Sequence, residues 1–324
     1  MTGTRASTTT STRASESGVE YRSYYGQPVI KRPTWKTPDV PVYFFLGGLA
    51  GGSSVLAELG ELSGRFRLAR AGQVTAAAAS AGSVFALIHD LGRPERFLNM
   101  LRVFKPTSPL SVGSWVLASY GTLAGAGAVS RVAGVLPPAG RCATAGAAAL
   151  GPVMTTYTAV LVADTAVPAW HEGYRELPFV FAGSALASAG GLGMLAAPRE
   201  AGPARLAAVA GTGMELAADR LMSHRLGFLA EPYHHGRAGR WMRAGKVLGA
   251  AGAAGALGAL VREPGRRGGR VASVLSAISA SALLASSLCT RFGVFEAGRA
   301  SADDPKYTVV PQRERLDARN ARNV

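Results

Sequence analysis

Residues 41–61 read PVYFFLGGLAGGSSVLAELGE, an apolar run that carries acidic side chains only near its end. A helix needs about 20 predominantly apolar residues to cross the hydrocarbon core of a bilayer, so this run predicts a membrane span. Its glycines form overlapping GxxxG pairs, Gly47 with Gly51 and Gly48 with Gly52. Such small residues let helix backbones approach closely in lipid.

Seven more apolar runs follow, and the eight together predict an all-α integral membrane protein. The predicted spans are 41–61, 69–90, 110–131, 145–167, 177–197, 203–222, 244–262 and 270–291. A soluble domain of 324 residues is not expected to contain so many separated runs of this length. We expect a flexible polar tail at 1–38, a membrane domain at 39–300 and a C-terminal tail at 301–324.

Composition and charge exclude several other classes. The N-terminal 38 residues are rich in Ser, Thr and Arg and lack an apolar stretch, which is untypical of a cleavable signal peptide. The net charge of +15 does not point to nucleic acid, because the arginines lie in tails and between apolar runs, where membrane proteins keep basic residues. Cys142 and Cys289 are too few for a four-cysteine iron–sulfur or zinc site within this chain.

Two predicted loops, 91–109 and 223–243, are too long for simple turns. They lie on the same side of the membrane because an even number of predicted spans separates them. We expect a multi-pass protein of the cell membrane with both chain ends on that side. We call this side the docking face. The opposite face has short, arginine-bearing loops, and the positive-inside rule slightly favours a cytoplasmic location for it.

Ionisable side chains within or beside the apolar runs are candidate functional groups, because a charge in lipid is expensive. They are Glu58, Glu61, His89, Asp90, Asp164, Glu172, Glu215 and Asp219. Most of them lie toward the docking face. This asymmetry indicates a proton-linked ligand site there.

The second span ends in IHDLGRPERF, residues 88–97. His89 and Asp90, at the boundary of lipid and loop, can exchange hydrogen bonds or protons with a bound polar head group, and their pKa values would respond to burial and to Arg93. The alternative is a helix-end cluster that satisfies its own charges, with Gly92 as the C-terminal stop. The spacing leaves both interpretations open.

The fourth span carries Tyr157 and Asp164, seven residues apart and therefore on one helix face. A buried tyrosine needs a partner for its hydroxyl. Trp170, beyond this span, is interpreted as an interfacial residue.

The sixth span carries Glu215 and Asp219, four residues apart, where like charges repel. We expect that one of them is protonated or that Arg220 neutralises the pair. Proton carriage and a structural ion pair both stay open. On the first span, Glu58 is deep enough to begin a proton route toward the short-loop face.

Haem is not expected, because a b-type haem needs axial ligands inside the bundle, usually histidines. Of the five histidines, only His89 lies near a predicted span.

Several stretches resemble the NrfD/PsrC family of polysulfide-reductase-type membrane subunits. HDLGRPERFLNM at 89–100, continuing through FKPTSP at 104–109 to GSW at 113–115, resembles the signature segment of that family. Tyr157-Thr158 followed by AVPAW at 166–170 is similar to the fourth-helix segment. The C-terminal SADDP at 301–305 and VPQR at 310–313 resemble members found beside molybdopterin oxidoreductases. The resemblance covers about residues 35 to 313.

The resemblance implies eight membrane helices in two four-helix bundles, with neither haem nor an iron–sulfur cluster in this chain. It implies a quinone, menaquinone or ubiquinone, bound near the face where a four-cluster ferredoxin-like iron–sulfur subunit docks. A molybdopterin catalytic subunit would complete the complex, and the C-terminal similarity favours a formate-dehydrogenase-like one. By this resemblance, the residues around the quinone are expected to be His89, Asp90, Tyr157 and Asp164. The Gly-rich first span is expected to line the same pocket.

The chain is therefore expected to be a membrane anchor and quinone-reactive subunit that is not an enzyme by itself. The candidate proton-transfer groups are Asp90, Asp164, Glu215, Asp219 and Glu58. The candidate partner-docking residues are Arg93, Arg96, Trp170 and His171. The alternatives are a proton-conducting or transport protein, and a structural anchor without a quinone site.

Overall fold

The structure is a computed structural model that describes residues 29–93, 95–261 and 270–322, without the side chains of Arg96 and Arg270. Every regular element within these residues is a helix. Most of the predicted flexible tail at 1–38, namely residues 1–28, lies outside the described residues.

Twelve α-helices make up the described chain, with a short 3-10 turn at Gly227–Ala230. They are α1 (Asp39–Leu62), α2 (Phe66–Leu91), α3 (Glu95–Met100), α4 (Pro109–Ala133), α5 (Pro137–Ala163), α6 (Pro168–Glu172), α7 (Leu177–Ala196), α8 (Gly202–Leu226), α9 (Glu231–His234), α10 (Gly236–Val261), α11 (Arg270–Asp303) and α12 (Lys306–Arg322).

Six helices in the described part of the chain are long and apolar enough to cross a membrane: α1, α2, α5, α7, α10 and α11. The third and sixth predicted spans fold as α4 and α8, which are not among these six. In α8 the apolar character is diluted by charged residues such as Glu215, Asp219 and Arg220. The fold is thus all-helical and consistent with a multi-pass membrane protein, while eight membrane spans in two four-helix bundles stay a prediction.

Three helix boundaries differ clearly from the predicted ones. α5 begins at Pro137 rather than 145. Prolines are tolerated in its first turn because N–H groups there have no acceptor within the helix. α10 begins at Gly236 rather than 244, so helix occupies much of the predicted 223–243 loop. α11 continues to Asp303 rather than ending at 291, and α12 follows it in the predicted tail. A span predicted from hydropathy ends where charged residues begin. A helix continues as long as its backbone hydrogen bonds are made.

The helices contact one another in two sets. The first set is α1, α2, α4 and α5, and the second set is α7, α8, α10 and α11. Helix α1 contacts α7 and α11 as well as its own set, and therefore lies where the two sets meet.

Glycines on α1 create this central position. A Cβ on Gly51 would lie 2.7 Å from the Gly151 carbonyl oxygen of α5, and one on Gly52 would lie 2.7 Å from the Ala185 carbonyl oxygen of α7. Only a residue without a side chain allows backbones this close, as expected for small-residue packing in membranes. The GxxxG pairs found in the sequence therefore hold α1 between α5 and α7.

Replacing Gly52 by Ala is expected to destabilise the fold by about 1–3 kcal/mol, the usual cost of overpacking, because the new methyl group must displace the α7 backbone. Gly125→Ala on α4 is the matched control, since a Cβ there meets nothing within 4 Å. That variant should gain about 0.5–1 kcal/mol. Thermal unfolding of the purified full-length chain in detergent measures both, and equal midpoints for the two variants would contradict the close α1–α7 contact.

Candidate functional site

One face of α1 carries a line of polar contacts that begins at the docking-face end of the helix. Asp39, Tyr43 and Gly47 are spaced four residues apart and so share this face. Asp39 Oδ2 lies 2.9 Å from His89 Nδ1, and Tyr43 Oη lies 2.6 Å from Tyr157 Oη. We call Asp39, His89, Tyr43 and Tyr157 the α1 track.

The inner end of the α1 track is a buried pair of phenols. Tyr43 and Tyr157 are almost fully covered by α1, α4 and α5. Gly113 makes room for the Tyr157 ring, since a Cβ at that position would lie 2.9 Å from it. Two phenols carry two hydroxyl protons, and the hydrogen bond between them uses one. The other proton is available to an acceptor that comes close to the pair.

The outer end of the α1 track is solvent-accessible. The His89 side chain is two-thirds exposed, whereas Asp39 is largely covered. A carboxylate only accepts hydrogen bonds, so Nδ1 of His89 carries a proton and donates it to Asp39. Nε2 of His89 is then left to exchange protons with a ligand or with water. Phe85 stacks on the imidazole with 6.4 Å between ring centroids.

Asp90 and Asp164 lie apart from the buried tyrosines. Asp90 Oδ1 accepts a 2.9 Å hydrogen bond from the backbone N–H of Lys36, which fastens the segment before α1 to the end of α2. Asp164 is exposed at the C-terminal cap of α5. The four residues predicted for the quinone site thus surround the docking-face end of α1, α2 and α5 without forming one cluster.

Asp39 and Tyr43 were missed in the sequence analysis. Their signal was available, because the spacing of Asp39, Tyr43 and Gly47 is that of one helix face leading to the GxxxG glycines. Asp39 was not predicted because it precedes the predicted start of the first span, and the candidate acids were those within or beside the spans.

The second set of helices contains a separate group of buried charges. Thr290 Oγ1 donates a 2.6 Å hydrogen bond to Glu215 Oε1. Asp219 pairs through Oδ2 with Lys246 Nζ at 2.5 Å, and its buried Oδ1 has no hydrogen-bond partner within the described part of the chain. The expectation that Arg220 neutralises this acidic pair is wrong, because Arg220 is exposed and the cation beside Asp219 is Lys246 of α10.

Arg291 is fully buried in the middle of α11. Its Nη2 donates to the Phe181 carbonyl oxygen at 2.8 Å, and its guanidinium carbon lies 3.8 Å from the centre of the Phe181 ring. Nε and Nη1 have no hydrogen-bond partner in the part of the chain that the structure describes. Gly48 of α1 provides the space, since a Cβ there would lie 2.9 Å from Nη2.

Arg291 and Lys246 were also not predicted from the sequence as functional residues. Lys246 stands inside the predicted seventh span and could have been found by the same search that found the acids. Arg291 was placed at the end of the eighth span, although Phe292, Val294 and Phe295 continue the apolar run beyond it.

The acids at the opposite end of α1 are held by arginines. Both carboxylate oxygens of Glu58 bind the guanidinium of Arg141 on α5. Glu61 pairs with Arg131 of α4, whose Nε also donates to Gln73 Oε1 at 3.0 Å. These pairs link α1 to α4 and α5 at the short-loop face. A proton-transfer role for Glu58 stays a prediction.

Trp170 has a different position from the one expected for an interfacial or partner-docking residue. Its ring is completely buried, stacks on Trp35 with 5.6 Å between centroids, and donates from Nε1 to the Val294 carbonyl oxygen at 2.7 Å. A covered ring cannot contact a partner directly, so Trp170 instead fixes α6 to α11. His171 and Arg93 are exposed, and their roles in partner docking stay predictions, while the side chain of Arg96 lies outside the described residues.

Further ion pairs join the segments around α6. Arg225, at the end of α8, binds Glu176 through Nε at 2.7 Å and the Glu172 carbonyl oxygen through Nη2 at 2.5 Å. The hydrogen bond from Arg225 holds the pKa of Glu176 below its usual range. Arg315 of α12 reaches Glu172 at 2.6 Å, so the C-terminal helix is fastened to the same segment.

The sequence of this chain matches a known protein family. Residues 30–203 match the family model described as polysulphide reductase, NrfD. The matched stretch is more than half of the chain and contains all four residues of the α1 track. No curated protein matches the chain.

Removing one partner of the Asp219–Lys246 pair is expected to destabilise the protein, because the other charge remains in a mostly covered position. Lys246 is one-third exposed, so we expect a loss of about 1–3 kcal/mol for Asp219→Asn, below the usual cost for a fully buried pair. Lys246→Gln should behave similarly, and the double variant should recover part of the loss. Thermal unfolding of the full-length chain in detergent measures this cycle.

Arg220→Gln is the control for that cycle, since it removes an exposed charge one residue from Asp219. It should change stability by less than about 0.5 kcal/mol. Strictly additive losses in the double variant would mean that Asp219 and Lys246 do not interact.

Proposed function

The chain belongs to the polysulphide reductase NrfD family, and on this premise we propose that it is the quinone-reactive membrane subunit of an oxidoreductase complex. Family membership supports the coarser statement, a membrane subunit of a quinone-interacting complex. The proposal goes further: this subunit passes electrons between a four-cluster ferredoxin-like iron–sulfur partner and the quinone pool of the cell membrane.

The α1 track is the observation that carries this proposal. It lies within the matched residues and places an exposed imidazole about one turn of α1 from a buried phenol pair. Quinone chemistry needs such an arrangement, because the carbonyl oxygens of the head group take hydrogen-bond donors and exchange protons with groups that reach water.

The residues of the track fit a quinone head group. Either tyrosine can supply the hydroxyl proton that their mutual hydrogen bond leaves unused. His89 can donate or accept a proton at Nε2 while Asp39 holds the imidazole through Nδ1. A quinone bound here would take up two electrons and two protons on reduction.

The chain's own residues then have distinct parts in the proposal. Tyr157, with Tyr43, holds a proton where water is excluded, since both rings are buried. His89, with Asp39, exchanges protons with the solvent at the docking face. Asp90, which binds the Lys36 backbone, and Asp164, at the exposed end of α5, are proposed as proton-transfer groups at the rim.

Glu215 and Asp219 are proposed to carry protons in a second, separate location. Asp219 has one unpaired buried oxygen and a lysine partner that reaches the surface, and Glu215 lies one helix turn deeper. Glu58 is proposed as a further proton-transfer group, separate from Glu215 and Asp219. Arg141 binds both of its carboxylate oxygens.

The partner surface is proposed at the docking face, with both chain ends on the same side. The exposed Arg93 and His171 flank this surface, and Trp170 orders it from within. A cavity of about 300 Å³ there is lined by Val29 and Ile30 together with Tyr307 and Pro311, so the segment before α1 lies near the first turns of α12. We propose a molybdopterin subunit beyond the iron–sulfur partner, in a formate-dehydrogenase-like complex.

Tyr157→Phe tests the proposal with the least change in shape. The full-length chain is purified from its native membranes with the subunits that accompany it. Reduced methyl viologen then supplies electrons to a water-soluble naphthoquinone or benzoquinone analogue. Loss of the hydroxyl is expected to slow quinone reduction about 100-fold, the lower range for loss of a positioned proton donor. The better of the two analogues identifies the quinone class.

Tyr120→Phe is the matched control, since it removes another buried hydroxyl in the same set of helices. Tyr120 donates to the Ala50 carbonyl oxygen at 2.5 Å, away from the α1 track. Quinone reduction at the wild-type rate in Tyr157→Phe, with no quinone extracted from the wild-type complex, would favour a structural anchor instead.

A further inference from the structure

A large cavity opens at the short-loop face, at the opposite end of the molecule from the α1 track. Its volume is about 750 Å³. It lies among the end of α7, the start of α8, the first turns of α11 and Arg67 at the start of α2. Cavities of this size hold ligands of many atoms rather than a single small ion.

Three arginines and one glutamate line the cavity among the residues that the structure describes. Arg67, Arg199 and Arg205 supply the positive charges, and Glu200 the negative one. Glu200 is already engaged, because its Oε2 accepts hydrogen bonds from the backbone N–H groups of Arg67 at 2.8 Å and Leu68 at 3.1 Å. That carboxylate therefore caps the start of α2, and it forms no ion pair with the three arginines within the described residues.

The arginine side chains lack anionic partners in the described chain. None of the three forms an ion pair with any carboxylate among residues 29–93, 95–261 and 270–322. The Nε of Arg205 is buried and has no hydrogen-bond partner among the described residues. A buried guanidinium N–H without an acceptor is costly, and a phosphate oxygen is the kind of acceptor that it binds most strongly.

The wall and the flank of the cavity are apolar. Met194, Leu195 and Ala197 line it, together with Ala272 and Ala277. Beside it on α11, a row of outward-facing side chains is more than half exposed: Val271, Val274, Leu275 and Ile278. On a helix that is apolar enough to cross a membrane, these side chains would meet acyl chains. Arginines at one end and an apolar surface at the other match an amphipathic anion.

We propose that this cavity binds an anionic phospholipid, with the phosphate head group on Arg67, Arg199 and Arg205 and the acyl chains along α11. Basic pockets between membrane helices are known to take such head groups. The bound lipid would connect α2, α8 and α11 at the face opposite the α1 track. This site goes beyond the proposed redox function and does not depend on it.

Lipid retention tests the site directly. The full-length protein is reconstituted in nanodiscs of phosphatidylcholine with a minor fraction of cardiolipin or phosphatidylglycerol, and the lipid that stays bound on release is counted by native mass spectrometry. The wild type should retain anionic phospholipid, and the variant Arg199→Gln/Arg205→Gln should retain about 10-fold less. Arg220→Gln is the matched control, because it removes an arginine from the other end of α8 and should retain as much as the wild type.

The remaining arms separate the sources of the phosphate. Adding 10-fold excess inorganic phosphate to phosphatidylcholine nanodiscs should not raise the unfolding temperature, whereas anionic phospholipid should. Equal stabilisation by free phosphate would overturn the lipid in favour of a soluble phosphate ligand. Equal lipid retention by the double variant and Arg220→Gln would overturn the site. If the double variant does not fold, Arg199→Gln, at an exposed position, decides alone.

Discussion

The close packing of α1 against α5 and α7 is the constraint on which the rest of the structure depends. Gly51 and Gly52 bring the α1 backbone against the backbones of both neighbours. Apolar burial alone gives little attraction between helices in lipid, so van der Waals contact at this distance supplies much of it. The same helix then presents Tyr43 to Tyr157 on one side and leaves space at Gly48 for Arg291 on the other.

This geometry separates two kinds of buried polar chemistry. On the side of α5, the α1 track consists of neutral phenols with an imidazole and a carboxylate at its exposed end. On the side of α11 lie full charges, with Arg291 held by the Phe181 carbonyl and ring and Asp219 held by Lys246. A charge in the membrane interior is retained only with partners such as these, which makes both groups candidates for function.

The two faces of the molecule differ in the chemistry that they offer. At the docking face, His89, His171 and Arg93 are accessible, and α12 is fastened to α6 by the Arg315–Glu172 pair. At the short-loop face, Arg141 and Arg131 pair with Glu58 and Glu61, whereas Arg67, Arg199 and Arg205 line the cavity proposed for a phospholipid. Redox partners and lipid would thus be engaged at opposite ends of the same helices.

The sequence by itself indicated the family, through its signature segments. It also predicted the helical class and close helix packing at the glycines of α1, because apolar run length and small-residue spacing are local properties. It also singled out His89, Asp90 and Tyr157, which carry the resemblance. Only the tertiary structure decided which polar groups meet: Tyr43 with Tyr157, Asp39 with His89, Lys246 with Asp219. Each pair joins residues far apart in the chain, and partner choice depends on which helix faces pack together. For the same reason Trp170, expected at an interface, is buried, and Arg291, expected at a helix end, lies in the interior.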